Sequence, residues 1–205
     1  PTQTPGENAQ RYFAKYNKQK RTFEALTELI RETADDIEYL ESIGNALDIA
    51  LSEADLAQIK EELMLSGYIR RKHTKKKVKL TSKPMHYISS DGYDMYVGKN
   101  NLQNEELTFS LANGNDWWFH AKGAPGSHVI VKSGGDELPD QTFEEAGRLA
   151  AYYSKNRGAD KVEIDYIQKK HVKKPNGAKP GFVVYYTNYS LVIDSDISNI
   201  KNVQD

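Results

Sequence analysis

The sequence predicts an α+β protein: a long N-terminal helical coiled-coil arm, then a compact α+β domain with a mainly antiparallel sheet. Three observations carry this. A heptad-spaced apolar seam runs from Tyr12 to Leu47. Beyond residue 83 the hydrophobic period changes from helical to alternating, and a single amphipathic helix interrupts the alternation. With 205 residues, 38% apolar and 10% aromatic, the chain can bury a core. These patterns divide it into a helical segment, 1–68, and an α+β domain, 69–205.

The arm opens at Thr4-Pro5-Gly6-Glu7, a capping box with proline at the first helical position. Tyr12, Tyr16, Gln19, Phe23, Leu26, Ile30, Thr33, Ile37, Leu40, Gly44 and Leu47 then alternate spacings of four and three. Such a seam reads either as a core face packed on the C-terminal part or as one strand of a coiled coil. Phe23, Leu26, Ile30, Ile37 and Leu40 form its partner face. A chain that begins at Pro1 is expected to be part of a longer protein, whose upstream half would supply the partner; without it, the stripe is expected to drive self-association. Ser52 and Asp55 mark a second helix start and Gly67 its stop, with Leu56, Ile59, Leu63 and Met64 as the buried set.

Residues 85–97 read as a hairpin around Asp91-Gly92. Residues 105–112 fit a helix or a strand. Trp117–Ala121 and His128–Lys132 read as strands, Pro139–Asn156 as a helix with an acidic first turn, and Lys161–Gln168, Phe182–Thr187 and Leu191–Asp194 as further strands.

Charge is segregated although the net charge is only −1. Residues 24–62 hold twelve acids and two bases; residues 70–83 hold eight bases and residues 168–179 five, neither run with an acid. The chain has no cysteine, which removes disulfides, thiolate metal sites and thiol nucleophiles. Mean hydropathy is −0.72 and no membrane insertion is expected; with no signal-like N-terminus, the expected location is cytoplasmic. No nucleotide loop, nucleophile elbow or H-E-x-x-H is present, so no enzyme activity is expected. His120 and His128, with Asp116 nearby, have a spacing compatible with a metal, but imidazoles on half-buried strands more often make structural hydrogen bonds. Neither metal nor cofactor is expected.

A polyanion-binding surface is the better-supported chemistry. Arg70, Arg71, Lys72, Lys75, Lys76 and Lys77 in the first run, and Lys169, Lys170, Lys173, Lys174 and Lys179 in the second, are candidate phosphate contacts. Taken singly, each run reads equally as a solvated face. Trp117, Trp118, Phe119 and Tyr87 could stack on unpaired bases, and Asn100, Asn101, His120 and His128 could read base edges. Trp118 and His120 remain open between core and ligand-facing roles.

The motifs G-K-N-N-L-Q-N-E-E-L-T at 98–108, D-W-W-F-H at 116–120, P-G-S-H-V at 125–129 and K-K-H-V-K-K-P-N-G-A-K-P-G at 169–181 resemble the NFACT-R domain signature. Residues 5–16, 39–41 and 61–68 resemble the helical middle domain that precedes it in the NFACT family. Trp117 departs from the pattern, standing where an aliphatic residue is expected. The resemblance adds Ser127 to the candidate RNA contacts. It implies a non-catalytic factor that binds obstructed large ribosomal subunits, contacts rRNA, and recruits tRNA so that stalled chains receive a C-terminal alanine tail. The rival reading is an adhesin, since coccal relatives are described as binding fibronectin, with surface display by an unconventional route.

Overall fold

The structure is a computed structural model that describes residues 4–70 and 82–203. Arg71, Lys72, Lys75, Lys76 and Lys77 therefore lie outside the described residues. Packing groups the chain into two compact units, residues 1–40 and 41–205. The 68/69 division marks a change of sequence pattern, whereas the second unit also includes the helix before it.

The first unit is the N-terminal part of α1 (Pro5–Ile49). Its start is the capping box: Glu7 Oε2 accepts from the Thr4 backbone N–H at 2.8 Å, and Thr4 Oγ1 accepts from the Glu7 N–H at 3.3 Å. Arg31 bridges Glu28 and Asp35 one turn to either side. Phe23, Leu26, Ile30, Ile37 and Leu40 are all exposed.

The second unit begins with the last turns of α1. Here Ile43, Ala46 and Ile49 are buried, while the seam positions Gly44 and Leu47 face outward. The helix thus packs into this unit on a face other than its heptad seam. Helix α2 (Glu53–Leu65) starts at the Ser52–Asp55 capping box, and Gly67 ends it at φ +82°. Its buried set differs from expectation: Leu56 is half exposed, whereas Asp55, Ile59 and Glu62 are buried. Those three lie on one helical face, and its two carboxylates meet polar partners. Lys99 and Ser82 meet Asp55, and Asn101 Nδ2 donates to Glu62 Oε1 at 2.9 Å. Burial alone would raise the Asp55 carboxyl, but hydrogen bonds from Ser82, Ser52 and Leu51 and the Lys99 charge outweigh it and hold it below its usual value.

Among the described residues seven antiparallel strands follow: β1 (Met85–Ile88), β2 (Asp94–Val97), β3 (Trp117–Ala121), β4 (Val129–Val131), β5 (Val162–Gln168), β6 (Tyr189–Ile193) and β7 (Lys201–Asn202). Their order is β6-β5-β3-β4-β2-β1-β7. The β1–β2 hairpin turns at Gly92, whose φ is +89°. Residues 105–112 resolve as helical: α3 (Asn101–Glu106) continues into a wider π-helical turn, Leu107–Leu111. The helix expected over 139–156 is α4 (Asp140–Tyr152).

Alternation along the strands sorts side chains onto two faces. Met95, Val97, Phe119, Val129, Val131 and Ile164 pack beneath α4 with Leu149 and Ala150. Trp118, Ile130 and Ile167 occupy the other face with Leu107, Ala112 and Val172. The strand expected over 182–187 does not form. Its sheet edge is already taken, because β5 pairs with β6 from Val162↔Ile193 to Tyr166↔Tyr189. Val183 and Tyr185 instead pack onto the second face, and Val184 keeps one bridge, to Lys173.

Candidate nucleic-acid interface

The second basic run becomes a pinned surface loop. At the end of β5, the Lys169 N–H donates to the Asp116 carbonyl at 2.8 Å and the Lys170 N–H to the Gly114 carbonyl at 3.0 Å. A single 3₁₀ turn over Lys169–His171 follows, and the Val172 side chain plugs into the second core cluster. Lys173 and Val184 exchange backbone hydrogen bonds at 3.0 and 2.8 Å, closing the loop at its base. The tip turns at Gly177, φ +75°, and returns at Gly181, φ +77°. Gly181 lies so near α3 that a Cβ there would meet Asn101 Cβ and Oδ1 at 2.9 Å. Glu105 Oε2 accepts from Lys174 Nζ at 2.7 Å and from the Gly181 N–H at 3.3 Å, tying both limbs to α3.

These ties sort the lysines. Lys174 is engaged by Glu105, and Lys179 donates to the Tyr68 hydroxyl at 2.8 Å with its ammonium 5.2 Å above that ring. Lys169 lies over the Phe109 ring at 5.7 Å. Lys170 and Lys173 are exposed and make no ion pair among the described residues. Arg70 is exposed beyond the end of α2. On the same segment Phe182 and Tyr186 are 49% and 84% exposed, a degree that leaves ring faces available for stacking.

Several expected contact residues are interior. Trp118 is fully buried, with His120, His128 and Tyr185 around it at centroid distances of 5.6, 5.1 and 5.0 Å. Phe119 and Tyr87 are buried, and Trp117 packs against the α4-side core. Asn100 caps α3 by accepting from the Gln103 N–H, and its Nδ2 donates to Gln58 Oε1 at 2.8 Å. Asn101 is engaged by Ser42 and Glu62. The Ser127 hydroxyl donates to the Gly98 carbonyl. The His128 N–H donates to Asn104 Oδ1 at 2.9 Å, and its Nδ1 is 2.8 Å from Thr108 Oγ1. In this arrangement Asn100, Trp118, Ser127 and His128 shape the platform from within, because burial leaves them no surface to offer a ligand. Local spacing does not reveal which strand face carries the covering segment.

His120 keeps part of its surface exposed but sits in dense surroundings, and desolvation pushes its imidazole down to about 4, against a hydrogen bond with the Gly126 backbone and the Asp165 charge. Desolvation, then the neighbouring His120, holds His128 well below the usual histidine range. Both are neutral near pH 7. Asp165 accepts from the Tyr185 hydroxyl at 2.9 Å and from Ser190 Oγ at 2.6 Å, so Tyr185 anchors the far end of the loop. Burial and that hydrogen bond raise the Tyr185 phenol. Asp116, buried, accepts from Lys132, Ser133 and Asn113. No group of three or more metal-ligating side chains occurs among the described residues.

Chemically, then, among the described residues this segment presents two ammonium groups without an ion pair and two open rings, on a loop held at its base, along α3 and at Tyr185. Phe182 and Tyr186 were not among the expected stacking residues. The signal that could have found them is their position on the far limb of the basic loop, beyond the Pro180-Gly181 turn.

Two sequence profiles match the chain: NFACT N-terminal and middle domains over residues 1–82, and NFACT protein RNA binding domain over residues 83–187. The chain is 45% identical over 202 residues to the Rqc2 homolog RqcH of Streptococcus suis, covering 98% of this chain and 36% of that protein. It is 42% identical over 205 residues to the Rqc2 homolog RqcH of Bacillus subtilis, covering 98% and 35%. It thus spans about a third of the length of these curated relatives. A solved structure, the C-terminal of the fibronectin/fibrinogen-binding protein from Streptococcus suis, superposes with a TM-score of 0.87 at 43% identity, covering 98% of this chain and 81% of that one. Signature residues, domain order and fold agree, and the chain belongs to the NFACT family.

Proposed function

We propose that this chain is the non-catalytic RNA-binding part of a ribosome-associated quality control factor. In this reading the parent protein binds large ribosomal subunits obstructed by a nascent chain and recruits tRNA for C-terminal alanine tailing. Peptide-bond chemistry stays with the ribosome, and this part supplies rRNA or tRNA contact. The observation that carries the reading is the pinned 169–187 segment, which carries exposed Lys170 and Lys173 on one limb and exposed Phe182 and Tyr186 on the other. Phosphate neutralisation by free lysines and stacking on open rings are the two sequence-tolerant modes by which proteins hold single-stranded RNA. The match to an RNA-binding domain and the RqcH relatives support it.

The test is a salt titration of binding to ribosomal RNA fragments and tRNA. Each phosphate neutralised on single-stranded RNA contributes about 0.7 to the log–log slope. The double reversal Lys170→Glu/Lys173→Glu is expected to flatten that slope by about 1.4 and to weaken different RNAs alike, since phosphates carry no sequence information. An unchanged slope would remove these lysines from the interface.

The adhesin reading rests on the similarity to the fibronectin/fibrinogen-binding protein of Streptococcus suis. The same titration repeated with fibronectin separates the two. Tight lysine-dependent fibronectin binding without RNA binding favours the adhesin.

A further inference from the structure

Where β3 begins and β5 ends, on the α4 side of the sheet, Trp117, Phe143, Tyr166 and Tyr189 surround an open cleft of about 440 Å³. The rings stand at varied angles. Trp117 meets Phe143 edge-on at 4.9 Å, Phe143 lies 5.3 Å from Tyr166, and Tyr166 stacks on Tyr189 at 5.5 Å. Tyr189 is 60% exposed, so this cluster is open to solvent and not sealed core. Asp136, Glu137 and Asp140 form the rim. All three are exposed, and none makes an ion pair among the described residues.

The sign of the site follows from magnitudes. The N-terminus of α4 opens beside the cleft and contributes roughly half a positive charge. Three carboxylates outweigh it. Asp140 lines the cleft together with these rings, and its charge, after burial and Tyr189, helps to raise the Tyr166 phenol. A phosphate would be repelled here, whereas a cation gains both from ring faces and from the carboxylates. A guanidinium suits the arrangement better than an ammonium, because it can lie flat on a ring while its edges donate to several oxygens. The cleft is open and shallow for a small-molecule pocket, with room for one long side chain and its flanking backbone.

We propose that this cleft docks an arginine side chain from a basic segment of a protein partner. The site lies on the α4 face, whereas Val183 and Tyr185 of the basic loop pack on the other face of the sheet. It therefore does not depend on the RNA reading.

The test uses the isotope-labelled 205-residue chain, titrated with acetyl-Gly-Arg-Gly-amide while the assigned Trp117 indole N–H and Gly135 amide are followed by NMR. A saturable shift at both is expected, absent with the citrulline peptide, which keeps the shape and loses the charge. The triple variant Asp136→Asn/Glu137→Gln/Asp140→Asn is expected to bind about tenfold more weakly, a change of about 1.4 kcal/mol. Tyr189→Leu, at an exposed ring, is expected to weaken binding with the rest of the spectrum preserved. No saturable shift, equal binding of the citrulline or the lysine peptide, or unchanged affinity in the triple variant would overturn the assignment. So would an RNA oligonucleotide that displaces the peptide from Trp117.

Discussion

His120 and His128 stand edge to face at 5.5 Å, both depressed by desolvation. In the unfolded chain each titrates near its ordinary value of about 6.5. Between that value and the folded value of about 4 for His120, the unfolded state binds more protons than the folded state. Stability therefore rises with pH in this window, is complete above it, and is lost as pH falls. Denaturant titrations at several pH values through the window are expected to show this fall, reduced in His120→Asn. Trp118 supplies a second residue-level test. Its indole N–H has no hydrogen-bond acceptor among the described residues. Trp118→Phe then removes volume without breaking a hydrogen bond and is expected to cost roughly 1–2 kcal/mol, against about 3–5 kcal/mol for Trp118→Ala. Equal losses in RNA affinity and no loss of stability would instead place the ring at the ligand.

Among the elements, the basic loop and the long helix raise opposite questions. The loop is over-tied, with Lys173 paired to Val184, Glu105 holding both limbs and Gly181 pressed on Asn101. Gly181→Ala combines a positive φ with a Cβ 2.9 Å from Asn101. It is expected to shift the loop and lower RNA affinity while the sheet's thermal transition stays nearly unchanged. Helix α1, in contrast, leaves its partner-face residues Phe23, Leu26, Ile30, Ile37 and Leu40 exposed. Burying one such side chain stabilises by about 1.5–3 kcal/mol, enough in sum to drive pairing. Sedimentation is expected to detect self-association of the chain, abolished by Phe23→Glu/Ile30→Glu; a monomer at high concentration would refute it. Both capping boxes, the hairpin turn at Gly92 and helix α4 were legible locally, because turn chemistry and period are short-range. The π-helical turn after α3 and the two-residue β7 were not, since a run of mixed period or two residues carries no pattern.

Across the whole molecule, affinity for RNA should separate into a charge part and a stacking part. Phe182→Ala/Tyr186→Ala is expected to weaken single-stranded RNA by about 1–3 kcal/mol per base lost while leaving the salt slope unchanged, because no charge is removed. The lysine reversals should do the converse, and titrating both variants over salt checks the partition. By itself, the sequence determined the α+β class, the heptad seam, the separation of acid from base and the family signature, all of them properties of composition and local spacing. The tertiary structure alone decided which basic groups remain unpaired and which rings remain open. Lys174 meets Glu105 across 69 residues and Lys179 meets Tyr68 across 111. The strand-like run at 182–187 lost its place to β6 and turned across the sheet face, exposing Phe182 and Tyr186. Pairing and exposure of this kind depend on which distant segments share a surface, and no local period records that.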